Sequence, residues 1–206
     1  MKQQQAPGQL EIARAFINTL DLEAGTDDFA TSTGMQRWLA RHLPAAPGTI
    51  NEDDRRRVVE FRVLLRAAAA ANGPTSPDID WLSALNHLAD GTPLQLRFGD
   101  ALAPHLSTPD DGRDTVFAQL LWIVAVAAID GTWKRLKVCP AEDCRWAFYD
   151  NSKNRMGVWC QMAECGNRHK ARAHRARQHL APPERQPDRS ARPGDRKKPW
   201  EATQRT

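Results

Sequence analysis

The chain has 206 residues, 41% of them hydrophobic, with 29 Lys and Arg against 25 Asp and Glu. That is material for one ordinary globular core and a smaller module. The opening MKQQQAPGQLEIARAF lacks an apolar signal region, and the longest apolar run, LLWIVAVAAI at 120–129, is too short to cross a bilayer, so a soluble, cytoplasmic protein without membrane contact is expected. The near balance of charge hides an asymmetry. Residues 1–130 hold eleven Lys and Arg against seventeen Asp and Glu, while 131–206 hold eighteen against eight. An acidic body needs no particular partner, but a concentrated basic end is the electrostatic footprint of something that meets phosphates.

In chain order, Leu10, Ile12, Phe16, Ile17 and Leu20 form an apolar opening segment whose period fits a strand or a helix. Asn18 and Thr19 are polar within it, which makes them candidates for lining a ligand pocket; the competing role is local hydrogen bonding to backbone groups. MQRWLARHL predicts a short helix stopped by Pro44 and the loop PAAPGT. NEDDRRRVVEFRVLLRAAAAANG predicts the clearest helix, with acids in its first turn, Val58, Phe61 and Leu65 at helical spacing, and Asn72-Gly73 as a stop. SPDIDWLSALNHLAD predicts an amphipathic helix with Trp81, Leu82, Leu85 and Leu88 along one side, and LQLRF at 94–98 alternates as a strand does. GRDTVFAQLLWIVAVAAIDG is apolar nearly all round, which predicts a centrally buried helix ended by Gly131. Beyond Leu180 the Pro-rich, charged, aliphatic-poor stretch predicts a disordered basic tail.

All four cysteines fall in one segment, Cys139, Cys144, Cys160 and Cys165, in the pattern C-x4-C-x15-C-x4-C. Each short loop brings two thiolates to a shared ion, and four sulfurs favour zinc in a closed, structural, tetrahedral site. Core burial, disulfide formation and iron–sulfur ligation are the competing uses of the same residues. A ligand set that includes His169 or His174 is a further variant. Between the pairs, RWAFY and RMGVW flank the turn signal DNSKN and predict a hairpin, with Trp146, Phe148 and Trp159 as a small aromatic core or, alternatively, as stacking platforms for bases.

Cys165-Gly166 then reads as a turn and Asn167 as an N-cap, opening the helix NRHKARAHRARQHL. His169, Ala173, Ala176 and Leu180 form a narrow stripe suited to packing. Arg168, Arg172 and Arg175 share a second face, and Lys170 and Arg177 fill a third. No acid interrupts this run, so Arg168, Lys170, Arg172, Arg175 and Arg177 are the candidate contacts to double-stranded DNA. Docking to an acidic protein partner and RNA binding are the alternatives. His42, His87 and His105 are scattered without partners at metal spacing, and no nucleophile elbow, phosphate loop or dinucleotide fingerprint is present, which argues against an enzyme.

The run CPAEDCRWAFYDNSKNRMGVWCQMAECGNRHKARAHRAR resembles the CGNR zinc finger, named for the tetrad that here is Cys165, Gly166, Asn167 and Arg168. The upstream part, with FINTLD at 16–21 and a long helical middle, resembles the ABATE-type domain found with that finger in a bacterial family described as stress-induced transcription regulators. The resemblance implies zinc on Cys139, Cys144, Cys160 and Cys165 and suggests DNA binding by the basic helix. The resulting expectation is a mainly α protein: a helical domain over residues 1–131, possessing whatever effector site the regulator uses, a zinc-bound hairpin-plus-helix module over 132–180, and a basic tail over 181–206.

Overall fold

The computed structural model describes residues 5–43, 50–74, 77, 79–109 and 113–180. The loop predicted at 44–49 and the tail predicted beyond Leu180 lie outside them. Two compact units are present, one running to His169 and the other starting at Lys170.

The opening segment resolves as a helix, α1 (Leu10–Ile17), and Asn18 is its C-cap. A two-residue antiparallel ribbon follows, β1 (Leu20–Asp21) against β2 (Thr26–Asp27). Next comes α2 (Ser32–His42), whose N-cap Thr31 accepts a hydrogen bond from the Gly34 backbone N–H. The long helix α3 (Glu52–Ala70) opens on a capping box: Asn51 and Asp54 each bond the other's backbone N–H. Three acids in its first turn complement the helix dipole, and Glu52 and Asp53 also pair with Arg55 and Arg56.

Phe16 from α1, Phe29, Trp38 from α2 and Phe61 from α3 meet in an aromatic cluster with ring centroids 5.6–5.9 Å apart. Phe117 extends it at 5.1 Å from Phe61. Phe117 comes from α5 (Arg113–Ile129), which is buried through Val116, Phe117, Leu120, Ile123 and Ala127. Its far end differs from the all-round burial expected: Val126 is exposed and Ile129 is 86% exposed. A uniformly apolar helix leaves no periodic signal to say which side meets solvent. Gly131, at φ +79°, turns the chain away from it.

The helix α4 (Trp81–Asp90) buries no residue fully. Trp81, Leu85 and Leu88 pack against the core, but Leu82 is exposed, so the predicted stripe is narrower by one residue. Strand β3 (Gln95–Phe98) forms as expected and pairs antiparallel with β4 (Pro104–Ser107). A last ribbon joins β5 (Leu136–Val138) to β6 (Ala147–Tyr149). Leu136, Val138, Ala147 and Tyr149 are part of the same hydrophobic core as α1, α3 and α5.

Polar groups fix this ribbon to the helices. The Asn18 side chain acts as a surrogate strand: its Nδ2 donates to the Ala147 carbonyl at 2.8 Å, and its Oδ1 accepts from the Ala147 N–H at 2.8 Å. Asn72, just past α3, donates to the Trp133 and Leu136 carbonyls at 2.9 and 3.0 Å. Arg66 reaches back to the Ile17 and Leu20 carbonyls at the end of α1. The buried Arg62 forks onto Asp27 at 2.6 and 2.9 Å and donates to Thr19 Oγ1 at 3.0 Å.

Candidate metal centre

The hairpin differs from the sequence expectation in its strands. AFY is a strand, but its partner is Leu136–Val138, ahead of the first cysteine, and residues 156–159 are irregular. The Cys139 N–H bonds the Trp146 carbonyl at 2.9 Å, so the first cysteine pair occupies the tip of this ribbon. A charge inside the short strand is what a period-2 reading rejects, and Lys137 is buried there. Its ammonium donates to Asp150 Oδ2 at 2.8 Å and to the Arg155 and Gly157 carbonyls at 2.7 and 3.1 Å. Burial alone would raise the Asp150 pKa, but bonds from Lys137, Ser152 and the Gly157 N–H bring it down to about 2. This clamp holds the loop that carries the chain back to Cys160.

Of the second cysteine pair, Cys160 lies just ahead of a single wide helical turn, Met162–Gly166, and Cys165 lies within it; the turn runs directly into α6 (Asn167–Leu180). Asn167 has helical backbone angles and its Nδ2 donates to the Ala163 carbonyl at 3.0 Å. It lies within a continuous helical path and does not cap a new one. Gly166 sits at a close approach: a Cβ there would stand 2.4 Å from the sulfur of the flexible Met162 side chain, which would have to swing away, and 3.2 Å from Trp159.

The sulfurs of Cys139, Cys144, Cys160 and Cys165 lie within 4.8 Å of one another, with Cys144 to Cys160 at 3.6 Å and Cys160 to Cys165 at 3.7 Å. Zinc–sulfur bonds of about 2.3 Å in a tetrahedron put sulfurs about 3.8 Å apart. A disulfide would need about 2.05 Å. Thiols this close cannot all ionise unaided. The hydrogen bond to Cys139 pushes Cys144 up to about 12, and bonds to Cys139 and Cys144 drive Cys160 upward as well. A divalent ion reverses that cost, and the donor set is the one zinc prefers. All four coordination positions are protein sulfur, so the ion crosslinks the chain and leaves no place for a reacting water. Trp146 and Trp159 pack against the cysteines, and the Trp159 ring lies 4.9 Å from that of His169.

Arg168 completes the site. Its guanidinium donates to Cys165 Sγ at 3.2 Å and to Glu23 Oε1, in the β1–β2 turn, at 2.7 Å. A thiolate bound to zinc keeps net negative charge, which this hydrogen bond offsets. Arg168, which shares a helical face with Arg172 and Arg175 in the sequence, is thus held by Cys165 and by Glu23 of the helical body, a partner that no spacing rule could have revealed. Asn18 and Thr19 are buried: Asn18 is occupied by Ala147, and Thr19 donates to the Phe16 carbonyl at 2.8 Å while accepting from Arg62. In the second unit, Lys170, Arg172, Arg175 and Arg177 are all exposed.

A family model described as "Putative stress-induced transcription regulator", ABATE, matches residues 10–131, the greater part of the chain. The chain belongs to the ABATE family. The CGNR zinc-finger model matches residues 135–178, which contain the four-sulfur cluster. No curated protein matches the chain. Each letter of the CGNR tetrad now has a physical role in this ABATE protein: sulfur ligand, close approach, helix continuity and thiolate hydrogen bond. Among the described residues, no helix is long and apolar enough to cross a membrane.

Proposed function

We propose that this ABATE protein is a cytoplasmic, non-enzymatic transcription regulator that contacts double-stranded DNA through the basic stretch of α6 and senses an effector through its helical body. In this reading residues 1–131 receive the signal and residues 132–180 meet the DNA. One observation carries it: a helix that begins at a structural metal site presents Lys170, Arg172, Arg175 and Arg177 to solvent, with no acid between Asn167 and Leu180. Guanidinium forks match phosphate oxygens and guanine edges, and a helix of this width fits a major groove.

Replacing Arg172 and Arg175 together by alanine is expected to weaken duplex binding and to flatten its logarithmic salt dependence by about two units, one for each lost phosphate contact. Fluorescence anisotropy across a salt series measures this, with zinc content confirming that each variant is loaded. A loaded double variant that binds like the parent at every salt concentration removes α6 as the DNA surface. A parent that ignores duplex DNA at low salt removes the reading itself in favour of RNA or an acidic protein.

A further inference from the structure

A cleft of about 600 Å³ lies where α1, α2, β4 and α5 come together. Its size falls within the range of small-molecule sites, about 300–1,000 Å³. Ile12 from α1, Leu43 just past α2, and Trp122 and Ile123 from α5 line it. Among the described residues none of its lining side chains is a carboxylate, a lysine or an arginine. A cation entering it would find no counter-charge, whereas an apolar ring would find aliphatic and indole surface.

One polar group of its lining is a donor without a partner. The Gln119 amide nitrogen is buried and has no hydrogen-bond partner among the described residues. Buried amide N–H groups are almost always paired, so this one is a donor that an acceptor entering the cleft would satisfy. His42 also lines the cleft, with its Nδ1 at 2.9 Å from the Trp38 carbonyl. A carbonyl only accepts, so Nδ1 carries the proton and Nε2, in the neutral ring, is an acceptor. Stacking on Trp38, at 4.2 Å and 15°, holds the imidazole in place. His105 lines the cleft from β4.

We propose that this cleft binds a compact aromatic molecule bearing one hydrogen-bond acceptor oxygen, of a carboxylate or a carbonyl, which the Gln119 amide receives. The inference deepens the sensing role proposed above and rests on it for its biological use. The cleft is separate from Asn18 and Thr19, neither of which lines it.

The test uses the full zinc-loaded chain without DNA, titrated with benzoate, benzamide and benzylammonium. Amide and indole N–H signals of Gln119 and Trp122 are followed by NMR. Benzoate and benzamide are expected to give saturable shifts at both residues, and benzylammonium to bind at least about tenfold more weakly. Gln119→Leu, close in volume, is expected to weaken both oxygen-bearing probes about tenfold, the usual effect of losing one such hydrogen bond. Gln119→Glu keeps the side-chain shape and should penalise benzoate more than benzamide, which covers the case in which the leucine variant misfolds. No saturable shift with any probe, equal binding of benzylammonium, or unchanged affinity in both variants overturns the site. In a second titration with duplex DNA present, capture of the probes with DNA affinity left unaltered would overturn the sensing role and leave the cleft standing.

Discussion

Asn18→Ala is expected to lower the unfolding free energy by about 2–4 kcal/mol, measured by urea denaturation with an unchanged slope. The side chain makes two hydrogen bonds to one buried peptide unit, the N–H and the carbonyl of Ala147, both at 2.8 Å. Truncation strands the N–H with nothing to replace the amide oxygen. The carbonyl retains only a 3.4 Å contact from Arg14 Nη1. Asn18→Asp is the sharper comparison. It keeps an acceptor for the N–H but sets a carboxylate against the Ala147 carbonyl, so it should be at least as damaging despite its size. A loss under about 1 kcal/mol in both variants would mean that water takes over these groups and that Asn18 is not the pin between α1 and β6.

The second large effect is on the metal. Cys160→Ser should reduce the zinc content from one ion per chain to none, because the Cys160 sulfur stands 3.6 and 3.7 Å from two of the other three ligands. The loss should be local in a specific way. Residues 139–146 and 159–169 depend on the ion for their conformation and should lose NMR dispersion. Strands β5 and β6 lie in the main core with α1 and α3 and should keep theirs. Retention of a full zinc complement would show that another donor substitutes, and His169, beside Trp159, is the first to examine. Collapse of the strands together with the loops would show that the core does not hold the ribbon without the ion.

The metal ligands were legible because ligation writes itself as short-range spacing, and four cysteines in matched pairs have few other uses. Helix α3 was legible for the same reason, its first-turn acids and apolar spacing being local signals. The partner of AFY was not. RMGVW has the composition of a strand, yet the chain pairs LKV, whose central lysine is acceptable only because Asp150 and two carbonyls lie around its ammonium. That compensation is tertiary and leaves no periodic trace. Asn167 was misread as a cap because a turn at Cys165-Gly166 is the ordinary inference from a glycine; the wide turn that carries the chain through depends on Gly166 fitting beneath Met162 and Trp159. Arg168 belonged by helical period to a solvent face, but its partners come from Cys165 and from a turn 145 residues upstream.

The ribbon of β5 and β6 has one further consequence, for ancestry and engineering. Its tip carries two zinc ligands while Leu136, Val138, Ala147 and Tyr149 on its strands are covered by the helical body. A gene fusion or recombination event joined at residue 132 would carry those side chains away bare, and would leave Asn18 and Asn72 behind with no peptide to receive. This finger is therefore not portable in the way of a bead on a string. A lineage that acquires it must also acquire the receiving face of α1 and α3, and a chimera should fold only when positions 18 and 72 keep side chains that bond the backbone of the ribbon.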